Sequence, residues 1–127
     1  MSASIEGFGV NEANTYSTAS VQTIYSQTMP ENSAGRATVY AVARRVSDGA
    51  SKTFTLELGY KRGTGDVTIF GLQLLSAKGT VGDLIALAAV SATVDEAEGD
   101  LRVRVSGLAS TEIDWLITFV GEAVVHV

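Results

Sequence analysis

The 127-residue sequence predicts an all-β fold: an antiparallel β-sandwich or jelly roll of seven to eight strands behind an extended N-terminal arm. Three observations point there. Apolar residues alternate with polar ones at period two in most of the chain after residue 20. Clusters of Gly, Asp, Asn and Ser interrupt these runs at short intervals, and no stretch sustains a long helical period. At this length one core is expected, burying roughly two-thirds of the surface that the unfolded chain exposes. The composition is 46% apolar and 18% charged, so the chain is expected to fold rather than remain disordered.

Residues 1–18 are small and polar with two glycines and no sustained period, which reads as an extended arm preceding a single β-domain over 19–127. Its apolar residues Ile5, Phe8 and Val10 are candidate anchors to a neighbour. The first strand runs from Val21 through Thr23 and Tyr25, and Met29-Pro30-Glu31-Asn32 ends it, because proline has no N–H for a ladder. From Ala37 to Val46, residues Val39, Ala41 and Ala43 lie on one side and Tyr40, Val42 and Arg44 on the other. The turn Ser47-Asp48-Gly49 closes that run. Between Thr53 and Lys61, Phe54, Leu56, Leu58 and Tyr60 share a face opposite Thr53, Thr55 and Glu57, the pattern of a half-buried antiparallel strand.

A glycine-rich turn over 62–66 precedes Val67–Leu75, where Val67, Ile69 and Gln73 share a side. The run Leu84–Val94 suits a strand, yet its alanines equally suit a short helix. An acidic turn, Asp95–Asp100, leads into Leu101, Val103 and Val105, which face the core opposite Arg102 and Arg104. Ile113, Trp115, Ile117 and Phe119 form the core side of the last strand. Because Leu116 and Val120 make its other side apolar too, one face is expected to pack the core and the other a neighbouring subunit.

Residues that carry chemistry are few. There is no cysteine, which excludes disulfides, thiol nucleophiles and sulfur-ligated zinc. The single histidine, His126, lies next to the C-terminus with no supporting triad motif and no second soft ligand. The glycine pairs near 63–65 and 79–82 continue into no phosphate-binding pattern. The carboxylates of 95–100 resemble calcium ligands but not at EF-hand spacing, and an ordinary hairpin turn accounts for them. No catalytic residue, cofactor or metal is therefore assigned, and the expectation is a non-enzyme.

Net charge is −5, which disfavours nucleic-acid binding. The longest apolar run, Leu84–Val90, is too short to span a bilayer, and the first ten residues lack a signal-peptide pattern, so no membrane partner and an unprocessed product are expected. Residues 1–63 carry six Lys/Arg against five Asp/Glu, whereas 64–127 carry three against nine, an asymmetry suited to head-to-tail packing of like subunits. Adjacent Arg44 and Arg45 must point to opposite sides of a strand, so one needs a partner; Glu57 or another subunit are the candidates. Trp115 is read as a core residue, with a subunit contact as the alternative.

Taken in order, Thr23–Pro30, Ala41-Val42-Ala43-Arg44-Arg45, Ser47-Asp48-Gly49, Thr53-Phe54-Thr55-Leu56, Gly59-Tyr60-Lys61, Leu101–Gly107 and Ile113-Asp114-Trp115 resemble the pattern of small β-rich virion proteins and fibre-end domains of tailed bacteriophages. The resemblance covers residues 15–127, with a shorter glycine loop after the arginine pair than in those proteins. It implies a non-enzymatic component at the virion surface, made in the host bacterial cytoplasm and forming a homo-oligomer, a trimer being favoured. A capsid decoration or head-fibre protein would contact the major capsid protein or other virion proteins through Ile5, Phe8, Val10, Arg44, Arg45 and Trp115. A tail-fibre or receptor-binding tip for host glycans is the alternative, with Tyr16, Tyr25, Tyr40 and Tyr60 as candidate platforms.

Overall fold

A computed structural model describes residues 2–127 and shows eight strands in two antiparallel sheets, with one short helix. In chain order they are β1 (Ala3–Tyr16), β2 (Gln22–Thr28), β3 (Ser33–Arg45), β4 (Ser51–Arg62), β5 (Val67–Lys78), α1 (Val81–Ala86), β6 (Ser91–Ala97), β7 (Asp100–Ser106) and β8 (Ile113–His126). The larger sheet has the order β1-β8-β3-β4-β5 and the smaller one β2-β7-β6. Their facing sides form one core, so the architecture is the expected sandwich.

Side-chain size sets the packing of the larger sheet. Its central strand β3 presents alanines inward, and its flanking strands place bulky residues beside them. Ala41 lies between Ile117 and Phe54, and Ala43 between Trp115 and Lys52. Small residues in the middle leave room for large ones on both sides, which lets the layer reach core density without strain. Phe54 and Trp115 stack with ring centroids 6.2 Å apart, and Trp115 is almost fully buried. At the far end Gly35 occupies the central position. A Cβ there would sit 2.2 Å from the Glu122 carbonyl oxygen and 2.8 Å from the Tyr60 ring, so only glycine fits. The Tyr60 hydroxyl is satisfied by Ser33 Oγ at 2.8 Å.

The smaller sheet contributes Leu101, Val103 and Val105 from β7 with Ala92 and Val94 from β6, all buried. Tyr25 of β2 packs against Phe119. A register shift between Thr23 and Tyr25 marks a bulge that interrupts the alternation expected from Val21 onward.

Three features differ from the sequence reading. Residues 3–16 are extended but are hydrogen-bonded along their whole length to β8 as an edge strand, rather than standing off as an arm. Their polar, glycine-containing sequence gives no strand period, yet cross-strand pairing needs only backbone groups. Secondly, the larger sheet's strands run 12 to 14 residues, longer than their apolar periods. Thirdly, the run Leu84–Val94 is split into the last part of α1, a turn whose Leu87 and Val90 are buried while Ala88 and Ala89 are exposed, and the start of β6.

A local cap and contacts from β4 together fix that split. Thr80 caps the helix by accepting from the Asp83 N–H, and the Asp83 carboxylate accepts from the Ser51 N–H. Lys52, buried, donates to the Leu87 and Val90 carbonyls at 3.3 and 3.0 Å, with its ammonium 5.0 Å from the centre of the Phe54 ring.

The packing yields two expected outcomes. Trp115→Ala should lower unfolding free energy by about 3–5 kcal/mol in urea titration, the range for emptying a buried aromatic site. Gly35→Ala should lower the denaturation midpoint measurably, whereas Gly7→Ala, where a Cβ meets no atom within 4 Å, should leave it nearly unchanged.

Candidate interaction surface

The smaller sheet is too short to cover the larger one. At about 3.3 Å per residue its seven-residue strands reach about half as far as β1 or β8. Apolar side chains left on the surface therefore lie at the uncovered edges of the larger sheet, and others lie on its outer face, on which no element packs.

They gather in three places on the larger sheet. On its outer face Tyr40, Leu116, Val120 and Val124 are all exposed, Tyr40 and Val124 by about half (51% and 53%). On the β5 edge Phe70, Leu72, Leu74 and Leu75 are exposed as well. Ile5, at the β1 edge, is the most open of the large apolar residues (83%).

The β5 edge is only partly closed. The Val67 N–H donates to the Glu98 carbonyl and the Ile69 N–H to the Glu96 carboxylate at 2.9 Å, which ties the start of the strand to the β6–β7 turn. From Phe70 to Lys78 no backbone group on the free side has a partner among the described residues. Such an edge is a template for another strand. Gly71, in the left-handed region at φ +65°, puts a bulge in the middle of it.

A shallow concavity of about 630 Å3 lies on the outer face between β3, β4, β5 and β8. Phe70 forms one wall by lying across its cross-strand partner Gly59, where a Cβ would be 2.3 Å from the ring. The ion pair of Arg36 with Glu122 is another wall, and Thr38, Glu57 and Val120 also line the hollow. Both members of that pair are more than half exposed, so it contributes little to stability.

Two acidic residues, Asp95 and Asp48, are each held by an arginine. Asp95 lies opposite Arg102 on the outer face of the smaller sheet and accepts from it through both oxygens, at 2.8 and 2.9 Å, while Arg104 adds a third bond at 3.2 Å. Partial burial pushes the Asp95 carboxyl upward, but the two guanidiniums outweigh this and hold it below the usual carboxylate range. The hairpin therefore pairs the Asp95 carboxylate with its own arginines.

Arg45 forms a two-point pair with Asp48 at 3.0 and 2.6 Å, which corrects the expected bridge to Glu57. In register Glu57 lies opposite Thr38 and Gln73, well away from Arg44, whose cross-strand partner is Ser51. The bond from Arg45, helped by the Ala50 N–H, lowers the Asp48 carboxyl to about 2.

The other sequence candidates separate by position. Phe8 and Val10 face the core side of β1 and are half-buried; Ile5 faces outward. Arg44 is exposed beside Gly49. Trp115 belongs to the core, its ring inside the sandwich. Of the tyrosines, Tyr60 is interior, Tyr16 and Tyr25 are half-buried and Tyr40 alone is exposed. His126 is exposed at the end of β8, with no side-chain hydrogen bond among the described residues. No group of three metal-ligating side chains is found among the described residues, and no helix is long and apolar enough to cross a membrane.

Sequence reasoning did not find β5 as an open apolar edge. Its signal was present in Phe70, Leu72, Leu74 and Leu75, whose spacing fits neither one face of a strand nor a turn.

Comparison with known proteins gives little. No family model and no curated protein matches the chain. Among solved structures, the tailspike protein of Acinetobacter baumannii phage AM24 is similar over 98% of this chain, with 12% identity and a TM-score of 0.47. The chain spans about a quarter (26%) of that protein's length.

The Asp95 cluster carries a pH signature. Its folded-state pKa is depressed, so its contribution is present above the unfolded-state value of about 4 and is lost as pH falls through the lower folded value. Asp95→Asn should therefore lower the thermal midpoint at pH 7 and make stability less dependent on pH below about 4. Melting curves of both proteins between pH 2 and 7 check this.

Proposed function

We propose that this chain is a non-enzymatic structural component of a bacteriophage particle, a capsid decoration or head-fibre protein that self-associates through its β-domain. The observation that carries the reading is the distribution of apolar surface. Monomeric soluble proteins rarely expose contiguous apolar patches, and those that do use them for contacts. Here most of the exposed large apolar residues lie on the outer face and both edges of one sheet, with Val81 and Ile85 of α1 a smaller group apart from it. The resemblance of the strand and turn pattern to phage virion proteins supports the same reading.

In this reading the N-terminal strand provides the shell contact. Ile5 projects from the strand's outer face beside Val124, the side that edge-to-edge pairing of subunits leaves free. Arg44 adds an exposed cation near the opposite end of β3.

A second reading, a tail-fibre or receptor-binding tip for host glycans, draws on the outer-face concavity. An aromatic wall beside Glu57 and the Arg36–Glu122 pair has the mixed apolar and polar character that sugar binding requires.

Immunogold labelling of the intact phage that encodes the chain, with mass spectrometry of the purified particles, tests the proposal. Labelling on the head is expected. Labelling at the tail tip, with glycan binding that Phe70→Ala abolishes, would support the second reading. Absence from the particles would overturn both, and any hydrolytic turnover lost in His126→Ala would overturn the non-enzymatic reading.

A further inference from the structure

We infer that copies of this chain join edge to edge in a cyclic ring, β5 of one copy pairing in parallel with β1 of the next. The inference deepens the structural reading above and rests on it for its purpose, but its grounds are the two free edges of the larger sheet.

Direction comes first. All neighbours in the order β1-β8-β3-β4-β5 are antiparallel, so β1 and β5, four places apart, run the same way. A second copy rotated about an axis parallel to the strands brings its β1 alongside β5 in the same direction. Repeating that rotation gives a closed ring and leaves no edge open. The isologous alternatives, β5 with β5 or β1 with β1, each leave the other edge unpaired.

The two edges also match. β1 has 14 residues and β5 has 12. On the core side β1 carries Phe8 and Val10, half-buried because nothing continues the layer beyond them. On the core side of β5, Ile69 lies opposite Tyr60 and Leu74 opposite Leu56, with Leu74 about half exposed (55%). Joining the edges would place these apolar groups side by side and extend one core into the next.

Charge favours the heterologous choice. Within the two edge strands, β1 carries Glu6 and Glu12 and no Lys or Arg, whereas the only charged residue of β5 is Lys78. Pairing β1 with β1 would bring carboxylates together; pairing it with β5 places opposite signs at the joint.

Because the chain has no cysteine, introduced thiols report the joint cleanly. Gly9→Cys places a thiol on β1 where a Cβ meets no atom within 4 Å, and Gln73→Cys places one at an exposed position on β5. Each variant alone, an equal mixture and the double variant would be treated with a short bis-maleimide. Light scattering on the unmodified full chain would run in parallel. Cross-linking in the mixture but in neither single variant, with a ladder in the double variant that stops at the native mass, is the expected result. Cross-linking of Gln73→Cys alone would show β5 meeting β5, and of Gly9→Cys alone β1 meeting β1; either overturns the ring. A monomeric mass without cross-linking overturns it as well, and leaves particle labelling free to decide the structural reading separately. As a second variant, Leu72→Lys puts a charge on the free edge, and it should convert the oligomer to monomer while retaining the β-type circular dichroism of the parent.

Discussion

The structure depends on a mismatch of area between two sheets. Five strands, 12 to 14 residues long, face three strands of seven, so a single apolar layer is sealed only over the middle of the larger sheet. Within that middle the packing is tight: alanines on β3 seat Trp115, Ile117 and Phe54, and Leu101, Val103 and Val105 close the layer from the other side. Beyond it the same strands continue without cover. Backbone pairing holds them in the sheet, and their side chains are left to water or to another molecule.

Polar groups at the margins are satisfied locally. Lys52 fills the carbonyl ends around Leu87 and Val90, Arg62 donates to the Met29 and Gly65 carbonyls, and Arg102 and Arg104 share Asp95. Each of these ties a loop or hairpin to the sandwich and at the same time removes an ionisable group from chemical use. What the surface offers is shape, apolar area and open backbone, which are means of association.

How much was legible in advance follows from which contacts are local. The faces of β3, β4, β7 and β8 follow from alternation, because a strand buried on one side must place Phe54, Leu56, Leu58 and Tyr60, or Ile113, Trp115, Ile117 and Phe119, on that side. The turn at 47–49 follows from residue chemistry, whereas of the acidic stretch read as a turn over 95–100 only Glu98 and Gly99 turn, the rest lying in β6 and β7. The candidate surface was only partly legible. Leu116 and Val120 announced an apolar outer face, but the β5 edge did not show, since bulges between Thr55 and Leu56 and between Glu57 and Gly59 break its period.

By itself the sequence determined the class of fold and the inward faces of its best strands, because period and turn chemistry act over a few residues. Only the tertiary structure decided that residues 3–16 close against β8 and that Arg45 turns to Asp48 instead of Glu57. It also decided which edges stay open. Strand order and register join residues far apart in the chain, such as Ile5 with Val124, and no local pattern encodes which strand ends up as a neighbour and which has none.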